Sequence, residues 1–148
     1  MIPADQLLLL DSNVLLHLTR GRTAGLWIAE RYGLHARQEK PLISVVSTGE
    51  MWRLAERRGW GEAQRARLEE MGTQMVVVPL EPLVVRNYGR MGAYLDARGT
   101  PIPQNDLWIA ATASAMRAIL LTTDRHFDSL AEGGWVTREY LDPDRLPR

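Results

Sequence analysis

Short apolar runs alternate with longer stretches of helical periodicity along this chain. Leu7–Leu10 is unbroken and apolar, stops at Asp11, and predicts a strand buried on both faces. Val14, Leu15 and Leu18 then recur at helical spacing, so a helix runs from Ser12 to about Thr19 and ends at Gly21. Thr23 is placed to cap a second helix towards His35. Pro41 opens a strand over Leu42–Val46, and Ser47 follows as the expected cap of the next helix. Gly59 and Gly61 turn the chain into a helix from Glu62 to about Met71.

Met75–Val78 predicts a third strand, closed by Pro79. Pro82 suits the first turn of a helix over about Leu83–Arg98. After the loop from Gly99 to Pro103, Asn105 is the expected cap of an alanine-rich helix from Asp106 to about Arg117. Ile119–Leu121 is a fourth strand, and Trp135–Thr137 a short edge strand. The alternation predicts an α/β fold, with a central, mainly parallel sheet of four to five strands flanked by helices. No repeat or linker divides the 148 residues, so one domain is expected, its core over about residues 7–136. Residues 138–148 are expected to form a C-terminal tail, of which the last stretch, Asp142–Arg148, with two prolines and alternating charge, is loosely held.

The absence of cysteine excludes disulfides, thiolate catalysis and cysteine-ligated zinc. No apolar run approaches the roughly 20 residues that span a bilayer, and the N-terminus lacks a basic stretch, so a cytoplasmic location without membrane contact is expected. Net charge is zero, which gives no global electrostatic case for a nucleic-acid partner. The cations are nonetheless almost all arginine, Lys40 being the only lysine; arginine suits bidentate phosphate contacts, although genomic bias is the plainer explanation of the preference.

Four acids carry the chemistry. Asp11 and Asp124 stand at or just after the ends of predicted strands, Glu50 lies one helical turn beyond another, and Asp106 opens a helix. Each has a local explanation. Asp11 suits a helix N-terminus, Glu50 completes a Ser47–Glu50 capping box, Asp106 follows an Asn cap, and Asp124 suits an Asx-turn. Taken together they fall near one sheet edge. Two unit charges about 5 Å apart repel by roughly 3 kcal/mol at an effective dielectric near 20, so such a group needs a cation. Oxygen-only donors, with no histidine or cysteine expected nearby, suit Mg²⁺ or Mn²⁺, and such an ion supports phosphodiester hydrolysis. An aspartyl-phosphate mechanism fits less well, because Asn13 stands where a second aspartate is wanted.

At these residues the sequence resembles the PIN-domain family of nucleases, and within it the VapC-type toxins of toxin–antitoxin pairs. The resembling segments are LLLLDSNVL (7–15), ISVVSTGEMWRLA (43–55), NDLWIAATA (105–113) and LLTTDRHF (120–127). The resemblance implies a compact α/β sandwich, Mg²⁺- or Mn²⁺-dependent endoribonuclease activity, a cognate antitoxin and a homodimer. It implies metal ligation by Asp11 and Asp106, a second-site or water-mediated role for Asp124, and activation of water by Glu50. Asn13 and Thr122 match positions that hold the carboxylates or the scissile phosphate. A housekeeping or DNA-directed nuclease of the same family, or a non-catalytic scaffold that binds RNA or protein, are the alternatives.

Arg53 and Arg57, one turn apart on the Glu50 helix, are candidate RNA contacts, with Arg20 and Arg22 expected on the other side of the site. A solvated face paired with Glu56 and Glu62 is the competing reading of the first two. Met51, Trp52 and Trp60 are candidate antitoxin contacts, against an ordinary core role. His126, close in sequence to Asp124, is expected at the surface, with a contact to substrate as the alternative.

Overall fold

The computed structural model describes residues 2–148. Five strands, β1 (Leu8–Leu10), β2 (Leu42–Ser44), β3 (Val76–Val78), β4 (Ile119–Thr122) and β5 (Thr137–Tyr140), form one sheet in the order β3-β2-β1-β4-β5, with every pairing parallel. Side chains alternate across a strand, and this sheet is covered on both faces. Leu9, Leu42 and Leu120 enter one core, while Leu8, Leu10, Ile43 and Leu121 enter the other. That is why these strands read as continuous apolar runs.

Helices α1 (Ser12–Arg20), α2 (Thr23–Arg31), α3 (Val45–Arg58) and α4 (Glu62–Gln74) supply Val14, Leu15, Ile28, Met51 and Leu68 to the second core. Helices α5 (Pro82–Arg98), α6 (Gln104–Met116) and α7 (Asp128–Glu132) supply Val84, Met91, Ile109 and Leu130 to the first. The chain is therefore an α/β sandwich built on a five-stranded parallel sheet, as the alternation predicted.

Several boundaries differ from expectation. Strand β2 stops at Ser44, whose hydroxyl accepts from the Val46 N–H at 3.1 Å and caps α3. Val45 and Val46 are thus the first turn of a helix, although their β-branching read as strand, and Ser47 lies inside it. Helix α6 starts at Gln104 after Pro103, with no side-chain cap, so Asn105 and Asp106 both fall within its first turn. Helix α2 ends at Arg31, short of His35.

The C-terminal end is more ordered than its composition implied. Strand β5 is Thr137–Tyr140 instead of Trp135–Thr137, in register with Ile119–Thr122. Beyond it Leu141 and Leu146 are buried in the second core, and Asp142 caps a 3₁₀ turn over Pro143–Arg145. Two further elements had no predicted counterpart, namely α7 and a 3₁₀ turn over Arg125–Phe127. The described helices include none long and apolar enough to cross a membrane.

Candidate active site

The strand order reverses between β1 and β4, and crevices at such a switch point collect ligands beyond the carboxyl ends of the strands. Asp11 follows β1 and its N–H donates to the Leu121 carbonyl of β4 at 2.9 Å, which ties the two strand ends together. Asp124 lies two residues beyond β4. Glu50 arrives from the second turn of α3, and Asp106 from the first turn of α6. A hollow of about 420 Å³ is lined by all four, together with Asn13, Asn105 and His126. The structure therefore brings together the four acids that the sequence singled out.

Asp11 is buried and caps α1. Its Oδ1 accepts from the Ser12 N–H at 2.8 Å and its Oδ2 from the Thr122 hydroxyl at 2.7 Å. Thr122, itself buried, also accepts from the Asp124 N–H at 2.9 Å, so one hydroxyl holds both strand-end acids in register. Thr122 is thus a support for carboxylates behind the hollow. Asn13 is exposed at its mouth.

Burial pushes the Asp11 carboxyl up to about 7 against the opposing hydrogen bond from Thr122, and the nearby charges of Asp106 and Asp124 add to the rise. Burial likewise raises Asp106, with Asp124 and Glu50 contributing and His126 opposing. Such a group resists ionisation unless positive charge enters.

His126, when protonated, provides some; the sequence suggested no histidine beside the acids and put this one at the surface, with a substrate contact as the alternative. Its Nδ1 lies 2.7 Å from Asp106 Oδ2 and 3.1 Å from Asp124 Oδ2, and the hydrogen bond to Asp106 is the main reason that its pKa is raised. The only sequence signal was its place two residues after Asp124. The Asp124 Oδ1 accepts from the His126 N–H at 2.9 Å, and this turn aims the ring back at the acids. Asp106, Asp124 and His126 offer ligand atoms all within 4.8 Å of one another, and Asp11 adds a buried carboxylate. A mostly oxygen donor set that is costly to ionise alone fits a hard divalent cation.

Glu50 does not serve as the expected capping-box acid. Its Oε1 accepts from the Ser12 hydroxyl at 2.7 Å. Further along α3, Arg53, Arg57 and Arg58 line a trough of about 540 Å³ that shares Ser12, Asn13, Glu50 and Asn105 with the acid hollow. Glu56 pairs with Arg65 at 2.7 Å, and the three arginines make no ion pair among the described residues.

Arg20 and Arg22 are placed otherwise than expected. Helix α1 leads away from the site, so Arg20 at its last residue is about 12 Å along the axis from Ser12. Neither lines the hollow. Met51 is buried in the second core and is closed to a partner, while Trp52 and Trp60 are half-buried against that core. Exposed large apolar side chains are Val45 at the start of α3, Leu26 and Trp27 on α2, and Val76, Val77, Leu80, Leu83 and Val85 along β3 and the start of α5.

A parallel α/β sheet that gathers carboxylates at its switch point is the frame of a metal-assisted enzyme acting on phosphate esters. The family model described as "PIN domain" matches residues 8–133, and the chain belongs to the PIN-domain family. It is 29% identical over 133 residues to Ribonuclease VapC1 of Haemophilus influenzae, covering 86% of this chain and 94% of that protein. It is 26% identical over 132 residues to Ribonuclease VapC2 of the same species, covering 86% and 97%. Among solved structures, VapBC2 from Rickettsia felis bound to a promoter DNA fragment superposes with a TM-score of 0.78 at 20% identity, covering 92% of this chain and 99% of that one, and shares the fold.

Proposed function

We propose that the chain is a metal-dependent endoribonuclease, the toxin of a VapBC-type pair, which hydrolyses RNA phosphodiester bonds in the cytoplasm with Mg²⁺ or Mn²⁺. One observation carries the reading: acids from four separate segments meet at the strand-order switch, where burial raises Asp11 to about 7. A fold has no local need for that concentration of charge. The similarity to proteins named ribonucleases supports the choice of substrate.

A divalent cation bound in the hollow would neutralise charge at the carboxylates and would polarise phosphate and water. Asp11, Asp106 and Asp124 would hold it. Glu50, which also lines the hollow, would orient water and accept its proton. Thr122 keeps Asp11 and Asp124 from drifting apart, and Asn13, exposed at the rim, would be free to contact a phosphate. The continuous trough past Arg53 and Arg57 gives an unpaired RNA strand a cationic track leading to the acids.

Solved relatives include VapBC complexes, which supports a cognate antitoxin as the restraining partner. Trp52 and Trp60 keep enough exposure to contribute to its surface, and Leu26 and Trp27 offer more apolar area. A homodimer is expected from the family resemblance alone.

The deciding experiment is cleavage of an unstructured RNA by the purified chain with Mg²⁺ or Mn²⁺, with EDTA, and by Asp11→Asn. Cleavage that needs metal and Asp11 upholds the reading. Cleavage that survives EDTA overturns the metal mechanism, and inactivity of antitoxin-free protein with both metals turns it into a binding scaffold.

A further inference from the structure

Ser12 stands between two of the acids and contacts both. Its backbone N–H donates to Asp11 Oδ1 at 2.8 Å, and its hydroxyl reaches Glu50 Oε1 at 2.7 Å. A carboxylate only accepts, so the single hydroxyl proton of Ser12 goes to Glu50. The lone pairs of that hydroxyl then receive the Ser47 hydroxyl, 2.9 Å away. Ser47 is fully buried and lies three residues before Glu50 on the same face of α3.

A capping role for this pair is excluded by the helix start. Ser44 is the cap, and Ser47 and Glu50 lie past it with no free N–H of a cap residue for Glu50 to satisfy. The two hydroxyls are therefore available for the site. Glu50 Oε2 makes no hydrogen bond among the described residues, so the chain of hydroxyls engages one oxygen of the carboxylate and leaves the other free.

We propose that Ser12, backed by Ser47, is a positioning residue that fixes Glu50 relative to Asp11, setting the spacing between the water-orienting acid and the metal-holding wall. The proposal rests on the nuclease reading above. An unheld glutamate on α3 has several rotamers, and only some direct its free oxygen to the place where a water would attack. Ser12 selects among them through a short charge-assisted contact, and Ser47 restrains Ser12 in turn.

The test is a double-mutant cycle on the full chain with an unstructured fluorescent RNA. Ser12→Ala should lower kcat about tenfold or more with KM within about twofold, because it alters geometry and leaves binding intact. Ser12→Thr, which keeps the hydroxyl, should recover most of that loss, and Ser47→Ala should cost less than Ser12→Ala. In a Glu50→Ala background, Ser12→Ala should change kcat by less than about twofold. Equal losses in both backgrounds, or full kcat in Ser12→Ala, overturn the proposal.

Thermal unfolding of wild type, Ser12→Ala, Glu50→Ala and the double variant in EDTA needs neither metal nor substrate. Non-additive shifts in Tm support the contact and additive shifts overturn it. If the wild-type chain cleaves no RNA, the proposed function fails, while this second cycle still shows whether Ser12 holds Glu50.

Discussion

Replacing Asp11 by asparagine should abolish cleavage and yet stabilise the metal-free protein. The folded carboxyl titrates near 7 and the unfolded one at 3.8, a gap of about 3 units. At 1.36 kcal/mol per unit, ionising Asp11 in the metal-free fold costs about 4 kcal/mol. Because the folded value is the higher one, the folded state holds its proton more tightly. The associated stability is present in full below the unfolded value, falls as pH rises towards 7, and is absent above it.

Asparagine never ionises and retains an oxygen for the Ser12 N–H. Its amide nitrogen, however, faces Thr122 Oγ1, which already accepts from the Asp124 N–H and would lose its own acceptor. That mismatch costs about 1 kcal/mol, leaving a net gain of about 3 kcal/mol at pH 8. For a chain of this size the gain corresponds to a Tm roughly 10 °C higher.

Circular-dichroism melts of both proteins in EDTA at pH 5 and pH 8 read this directly. The advantage of Asp11→Asn should be large at pH 8 and nearly vanish at pH 5. With Mg²⁺ or Mn²⁺ in excess the wild type should gain stability from binding while the variant does not. A variant no more stable than wild type at pH 8, or an advantage independent of pH, refutes the argument that burial raises this carboxyl.

Other changes probe separate parts of the molecule. Ser44→Ala removes the cap of α3 and should lower unfolding free energy by about 1 kcal/mol in a urea titration, with some loss of cleavage because α3 carries Glu50. Gly25→Ala sets a Cβ against the backbone carbonyl of His17 at the α1–α2 corner, where no side chain can give way, and should cost about 3 kcal/mol or prevent folding, as read by the same titration. His126→Ala removes a group whose pKa is raised by its hydrogen bond to Asp106; the folded value exceeds the unfolded one, so its contribution exists below about pH 6.5 and is lost as pH rises through the folded value. The variant should therefore melt below wild type at pH 5 and with it at pH 9, both in EDTA. Arg53→Ala with Arg57→Ala should weaken binding of single-stranded RNA to Asp11→Asn and reduce the slope of log K against log salt by about 0.7 per lost phosphate contact; an unchanged slope removes these arginines from the RNA track.

What the sequence disclosed about the fold follows from where burial leaves a trace in composition. Leu8–Leu10 and Leu120–Leu121 are covered on both faces, so their apolar runs marked the central strands. Strand β5 has half-exposed Arg138, Glu139 and Tyr140 at the sheet edge, and with no apolar run to mark it the strand was placed too early. Val45 and Val46 carried β-propensity into what is a helix, because Ser44 rather than Ser47 satisfies the free N–H groups. Only its closeness to Asp124 pointed to His126, and its approach to Asp106 was not legible, since that depends on a 3₁₀ turn that no periodicity announces.

The acids were harder to weigh because their local and shared roles are compatible. Asp11 does cap α1, and Asp124 does cap the turn after β4. A carboxylate has two oxygens, however, and accepts about four hydrogen bonds. Asp124 gives Oδ1 to the His126 backbone and keeps Oδ2 towards His126 Nδ1 and the hollow; Glu50 gives Oε1 to Ser12 and keeps Oε2. Local bonds that occupy one oxygen orient the other, so each ordinary hydrogen bond is part of what aims the group at its neighbours. An acid that satisfies a nearby N–H is thus no weaker a candidate for the site, and the separating observation is convergence of the remaining oxygens, which only the folded chain provides.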